Sequence, residues 1–239
     1  MNHKKIYFVT TARTDEIAVL QKVKPPRLLC SYWYFKSKPL KEFCEKLGYK
    51  PEILLDSGAF SAHAAGKNVN ILDYMDYITA NSEYISEYIS LDVIGDDMLT
   101  RIFYEIMRFK GYRPTPVFHY GGEHNTIQYY MERGVTRVAL GGTVPIHDKT
   151  LIVQWCNKLS ETYPELEFHL LGSTKSDLLE CDSIVSCDAT SWYMMAVNGY
   201  PTSIPGKTRE AKRKRAEANL FGIMERFNDI ALPNHHSCV

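Results

Sequence analysis

The sequence predicts an α/β chain closing as a (β/α)8 TIM-like barrel, and three observations carry that expectation. Eight short apolar runs recur along the chain, most pairs of runs are separated by a helix-like segment, and the length of 239 residues suits one barrel domain. The runs are IYFVTT from Ile6, LLCSYWYF from Leu28, ILLDSG from Ile53, YISLDVIG from Tyr88, TPVFHY from Thr115, RVALGG from Arg137, EFHLLG from Glu167 and SIVSCDAT from Ser183. Each is nearly continuous rather than alternating and rich in β-branched or aromatic residues, the mark of strands buried on both faces. An open doubly wound sheet is the structural alternative.

The segments between the runs justify the helices in turn. ILDYMDYITANSEYI sets Ile71, Leu72, Met75, Ile78 and Tyr84 near one face. LTRIFYEIMRF groups Leu99, Ile102, Phe103, Ile106 and Phe109. NTIQYYMERG ends on Gly134, a helix-terminating glycine. KTLIVQWCNKLSETY is amphipathic, and STKSDLLECD before the eighth run is short. After Pro201 and Pro205, GKTREAKRKRAEANLFGIMERF predicts one helix with Lys207, Arg209, Lys212, Arg213, Lys214 and Arg215 crowding its start. The expected organisation is a barrel core over residues 1–200, a basic helix over 201–228 packed on it, and a loosely ordered tail over 229–239.

Composition narrows the partners. Twenty-eight basic and 28 acidic side chains cancel, so a polyanion can be attracted only by a local patch. The opening MNHKKIYFVTTARTDE turns charged before an apolar stretch forms, and no run approaches the ~20 residues that span a bilayer. The six cysteines are scattered without a C-x-x-C pair, which fits reduced thiols in a cytoplasmic chain with no membrane partner.

Active sites of such barrels sit at the C-terminal ends of the strands, so the residues ending each run are the candidate site. They are Asp56-Ser57-Gly58, Asp92, His119-Tyr120-Gly121-Gly122, Gly141-Gly142, Gly172 and Asp188. Singly, each acid also fits a turn or a helix cap, and the glycine pairs fit turns. Jointly, three carboxylates and a histidine converge on one mouth, where buried acids are costly unless used. Paired carboxylates suit glycosidic cleavage, one as nucleophile and one as acid and base, and they equally suit a sugar hydrolase or a metal-assisted hydrolase.

The ordered motifs LLDSGAFS, SLDVIGDD, PVFHYGG, VALGGTVP and HLLGSTKSDLLECDSIVSCDATSW resemble the tRNA-guanine transglycosylase superfamily, and most of all its DpdA branch, over roughly residues 28–192. The resemblance implies a glycosyltransferase that exchanges guanine in DNA for a 7-deazaguanine such as 7-cyano-7-deazaguanine. Asp188 is then the nucleophile that forms the covalent bond to C1′, and Asp56 the general acid and base. Asp92 reads the base, with Ser57, Gly58, Phe60, His119, Gly141, Gly142 and Gly172 around it. The partners implied are DNA, with its guanosine flipped out or single-stranded, and the free 7-deazaguanine base. Phe60, Tyr120 and Trp192 are candidates to stack on that base. The basic residues Lys207, Arg209, Lys212, Arg213, Lys214 and Arg215, with Trp192, would contact the nucleic acid.

The tRNA enzymes' C-x-C-x-x-C…His zinc motif is missing, and His235, His236 and Cys238 form only a faint cluster, so neither metal nor cofactor is expected. Ala189-Thr190-Ser191-Trp192 replaces the P-T-R that follows the tRNA family's nucleophile, which favours the DNA branch. A tRNA-guanine transglycosylase, a non-catalytic nucleic-acid-binding barrel and a glycoside hydrolase are the alternatives.

Overall fold

Apolar runs with branched and aromatic side chains are stable when covered on both faces, and each run here contributes a parallel strand. The computed structural model describes residues 4–172 and 183–227. The chain begins with β1 (Lys5–Thr10), α1 (Thr14–Val23), β2 (Arg27–Ser31), a single helical turn α2 (Tyr32–Phe35) and α3 (Leu40–Leu47). It continues with β3 (Glu52–Asp56), α4 (Ala59–Ala64), α5 (Ile71–Ala80), β4 (Glu87–Tyr88) and α6 (Asp97–Phe109). Then come β5 (Val117–His119), α7 (His124–Met131), β6 (Arg137–Gly141), α8 (Lys149–Thr162) and β7 (Glu167–Leu170). The described chain closes with β8 (Ile184–Ala189), α9 (Ser191–Val197) and α10 (Arg209–Arg226).

All the strand pairings are parallel, in the order β4-β3-β2-β1-β8-β7-β6-β5. The two ends of that order meet. Ile89 and Thr115 form a parallel bridge, Ser90 N–H donates to Thr115 O at 2.8 Å, and Thr115 N–H donates to Tyr88 O at 2.9 Å. The sheet therefore curls onto itself as a TIM-like barrel of eight strands, and the open-sheet alternative falls away.

Strand alternation then sorts the side chains. Ile6, Phe8, Leu28, Cys30, Ile53 and Leu55 pack outward with helix residues such as Leu20, Tyr74, Tyr104 and Tyr130. Tyr7, Leu29, Leu54, Ile89, Val117 and Ala139 pack inward as a separate small core. β8 keeps to this scheme only through an irregularity. Phe168 pairs with Ile184 but His169 pairs with Ser186, so Val185 is an extra residue. The slip lets Ile184 and Cys187 join the outer core while Ser186 and Asp188 turn inward.

Several expectations need correction. YWYF does not extend the second strand: the chain turns helical at Tyr32 once Ser31 has paired with Asp56. The fourth strand is two residues long, and Asp92 lies in the loop beyond it. The helix from Ile71 stops at Ala80, and it buries Tyr74, Met75, Tyr77 and Ile78 while leaving Leu72 exposed. The face of α6 differs most. It buries Thr100, Tyr104 and Met107, so Ile102 and Phe109 of the expected apolar face stand in solvent. The neighbouring Tyr130 ring, 4.9 Å from Tyr104 and edge-on, selects that face. Gly134 adopts a φ of 74° three residues past the end of α7, closing the turn into β6. The stretch at residues 173–182 and the tail over 229–239 lie outside the described residues.

The described cysteines Cys30, Cys44, Cys156 and Cys187 are buried and unbridged. Among the described residues, no helix is long and apolar enough to cross a membrane. Since Phe109 is 88% exposed, Phe109→Ser should change unfolding free energy by less than about 0.5 kcal/mol. Tyr104→Ala should cost about 3 kcal/mol or more. Urea unfolding midpoints of the two variants compare them directly, and a larger loss from Phe109→Ser would refute this helix orientation.

Candidate active site

Each inward strand position ends at the same rim. Two residues beyond the inner-core Leu54, Val117, Ala139 and Leu29 come Asp56, His119, Gly141 and Ser31. Asp188 pairs in register with the inward Tyr7. The strand period thus brings Asp56, His119 and Asp188 to the C-terminal end of the barrel, and the loop after β4 adds Asp92.

Asp56 is set by the Asp-Ser-Gly turn. Gly58 N–H donates to its Oδ2 at 2.9 Å. Gly58 has a φ of 78°, and a Cβ there would lie 2.5 Å from Trp33 Cβ and 2.7 Å from Ser31 Oγ. Only glycine permits this approach. The Ser57 hydroxyl donates to Asp92 Oδ1 at 3.0 Å and accepts from Ala59 N–H at 3.2 Å, linking the turn to the next acid. Burial pushes the Asp56 carboxyl up to about 7 and the Asp92 carboxylate adds to the rise; the Gly58 N–H opposes it, and Asp188 raises it further.

His119 lies between two acids. Nε2 meets Asp92 Oδ2 at 3.2 Å and Nδ1 meets Asp97 Oδ1 at 2.9 Å. Burial opposes a charged ring, but the hydrogen bonds to Asp92 and Asp97 outweigh it and hold the His119 pKa above the ordinary histidine value. A Cβ on Gly141 would crowd His119 Cδ2 at 3.1 Å, and one on Gly142, whose φ is 73°, would crowd Tyr120 N at 3.1 Å. The glycine pair therefore admits the histidine and its neighbour to the rim. Asp188 accepts from Gly172 N–H at 2.7 Å through Oδ2. Phe60 is exposed on α4, just past Asp56, and Tyr120 is partly buried with its ring edge-on to Trp155 at 5.2 Å.

Sequence reasoning missed Asp97, Ser31 and His169. Asp97 opens α6 and was hidden within the run GDDM, which reads as a helix start. His169 offered a signal: it is the polar residue in the middle of the otherwise apolar run FHLL.

Two groups of expected nucleic-acid contacts sit elsewhere. Trp192 is fully buried, and its Nε1–H donates to Val9 O at 3.0 Å, so it cannot stack on an extruded base. The basic residues of α10 are largely engaged within the chain. Arg215 is buried and donates to the carbonyls of Ala196, Ile204 and Gly206 at 2.8–3.0 Å. Arg209, Lys212 and Arg213 converge on Asp15, and Lys214 pairs with Glu210 at 2.8 Å. Burial works against the Asp15 charge, yet the Arg209 and Arg213 hydrogen bonds hold its pKa below the usual carboxylate range. Lys207 is exposed ahead of the helix. Among the described residues, no group of three or more His, Cys, Asp or Glu is arranged to hold a metal ion, and His235, His236 and Cys238 lie outside them.

No protein-family model and no curated protein matches the chain. Solved structures do. A 4-hydroxy-2-oxoglutarate aldolase/2-deydro-3-deoxyphosphogluconate aldolase from TTHB1 aligns with a TM-score of 0.51 at 11% identity, over 90% of this chain and 91% of its own. A putative fructose-1,6-biphosphate aldolase from Coccidioides immitis aligns with a TM-score of 0.60 at 12% identity, over 95% and 92% of the two chains. The YdjI aldolase from Escherichia coli K12 aligns with a TM-score of 0.59 at 12% identity, over 95% and 91%. Identities this low establish a shared fold and nothing finer.

These neighbours correct the expected kinship. They are aldolases rather than guanine transglycosylases, so the DpdA resemblance, the exchange of guanine for a 7-deazaguanine and the glycosyltransferase class are withdrawn, as is the tRNA alternative. The physical reason lies in the motifs themselves. DSG and GG satisfy local turn and packing demands at the ends of barrel strands, which barrels of any activity share.

The raised Asp56 pKa makes a signed prediction. In the unfolded chain this carboxyl ionises near 3.8, and in the fold near 7. The folded state then holds the extra proton between those values, so ionisation costs stability progressively as pH rises from about 4 to about 7. Asp56→Asn should raise the thermal midpoint more at pH 8 than at pH 4. An equal effect at both pH values would contradict the assignment.

Proposed function

We propose that the barrel mouth is an acid–base active site of a lyase that makes or breaks a carbon–carbon bond in a β-hydroxy carbonyl compound. The observation carrying this reading is the Asp56 carboxyl, balanced near neutrality at the strand ends where barrel enzymes work. Aldolases among the proteins of similar fold support the reaction class.

In cleavage, the Asp56 carboxylate takes the proton of the substrate's β-hydroxyl. The C–O bond becomes C=O, the adjacent C–C bond breaks, and its electron pair passes to the carbon beside the carbonyl as an enolate. Asp56 returns its proton to that carbon, so the proton count closes. His119, favoured as a cation by Asp92 and Asp97, places positive charge beside the developing enolate. Asp188 accepts a hydrogen bond from a substrate hydroxyl.

The test is proton exchange and cleavage on a panel of 2-oxo acids and 4-hydroxy-2-oxo acids, followed by proton NMR in D2O. The wild type should exchange hydrogen beside the carbonyl, with a rate rising through pH about 7 as Asp56 ionises. Asp56→Asn should slow exchange by about 100-fold or more. Absence of both cleavage and exchange across the panel would sink the reading, as would an Asp56→Asn variant as fast as wild type.

A further inference from the structure

Beneath the mouth runs a polar chain, buried at His169 and Ser186 and partly buried beyond them, that takes no part in the proton transfers above. His169 is 1% exposed. Its ring meets the edge of the Tyr7 ring at 5.8 Å, its Nδ1 lies 2.7 Å from Ser186 Oγ, and its Nε2 faces Asp188 Oδ2 at 3.6 Å. Ser186 in turn receives Arg137 Nη2 at 2.5 Å, and Arg137 Nη1 pairs with Glu87 Oε2 at 3.2 Å.

Hydrogen counting along this chain favours one tautomer of His169. Arginine has donors only, so Ser186 Oγ accepts from Arg137. The serine hydrogen is then free to donate, and among the described residues Nδ1 of His169 is its bonded acceptor. Were Nδ1 protonated, Ser186 Oγ would accept from it as well as from Arg137, and the serine hydrogen would be left without an acceptor among the described residues; the arrangement that pairs this hydrogen has Nδ1 bare and the ring proton on Nε2. Nε2 is fully buried and, among the described residues, without a hydrogen-bond partner, and the group it faces there is the Asp188 carboxylate. A buried N–H left unpaired is costly, so the pair is set to close.

We infer that His169 is a positioning residue, locked by Ser186 as the Nε2–H tautomer, that holds Asp188 as a hydrogen-bond acceptor. Oδ2 is then claimed from two sides, by Gly172 N–H and by His169, and among the described residues Oδ1 is left for substrate. The groups facing the pair are Tyr7 from β1, Arg137 through Ser186, and Asp56 across the mouth. The inference rests on the acid–base reading of this mouth for its use, but its test needs no substrate.

Nitrogen-15 NMR of the wild type at pH 7 should show His169 with Nδ1 unprotonated and Nε2 protonated. At pH 7 the carbon-13 resonance of the Asp188 carboxyl should move in His169→Leu relative to wild type, with His169→Gln restoring most of the difference because its amide can still donate. An imidazolium or an Nδ1–H ring would overturn the inference, as would an Asp188 carboxyl resonance unmoved in a folded His169→Leu protein. Should that variant fail to fold, the wild-type tautomer decides alone. Loss of the lyase activity with these results intact would strike the proposed reaction and leave the His169 assignment standing.

Discussion

Closure of a parallel sheet forces every second side chain of each strand into one narrow interior, and the rest of this protein follows from that constraint. The lower interior is filled by Tyr7, Leu29, Leu54, Ile89, Val117 and Ala139, which exclude water. At the top the same alternation delivers Asp56, His119 and Asp188, where no apolar side chain replaces them. Burial in this space raises the Asp56 carboxyl to about 7, and the charges of Asp92 and Asp188 add to the rise. The same crowding fixes His119 between Asp92 and Asp97.

Polar groups placed inside a barrel must satisfy one another, and here they form two linked systems. The upper one is the mouth. The lower one joins Tyr7 and Lys5 to Glu52, and Arg137 to Glu87 and Ser186, with His169 as the step up to Asp188. The extra residue at Val185 makes this possible. Without that slip, Ser186 and Asp188 would share the face of Ile184 and point at the helices.

Outside the barrel, the same need for pairing explains why a strongly basic helix is a structural part of the molecule. Arg215 anchors the turn after α9 by its carbonyl contacts, and Asp15 on α1 gathers Arg209, Lys212 and Arg213. A cluster of like charges on one helix is tolerable when a neighbouring helix supplies the counter-charge. Its sequence alone looked like a surface awaiting phosphate.

Sequence by itself determined the alternation of strand and helix, and with it the barrel, because hydrophobic runs and their spacing are local properties of the chain. It also located the polar strand ends, since Asp56, His119 and Asp188 each interrupt or terminate an apolar run. It misjudged whatever depended on a distant partner. The buried face of α6 was chosen by Tyr130, the fate of Trp192 by Val9 O, and the neutralisation of the basic helix by Asp15. Short motifs such as DSG and GG likewise encode the geometry of a turn, and that geometry is shared by barrels whose reactions differ. Only the tertiary structure, which sets residues far apart in the chain within ångströms of each other, decides which polar groups meet and which form each holds.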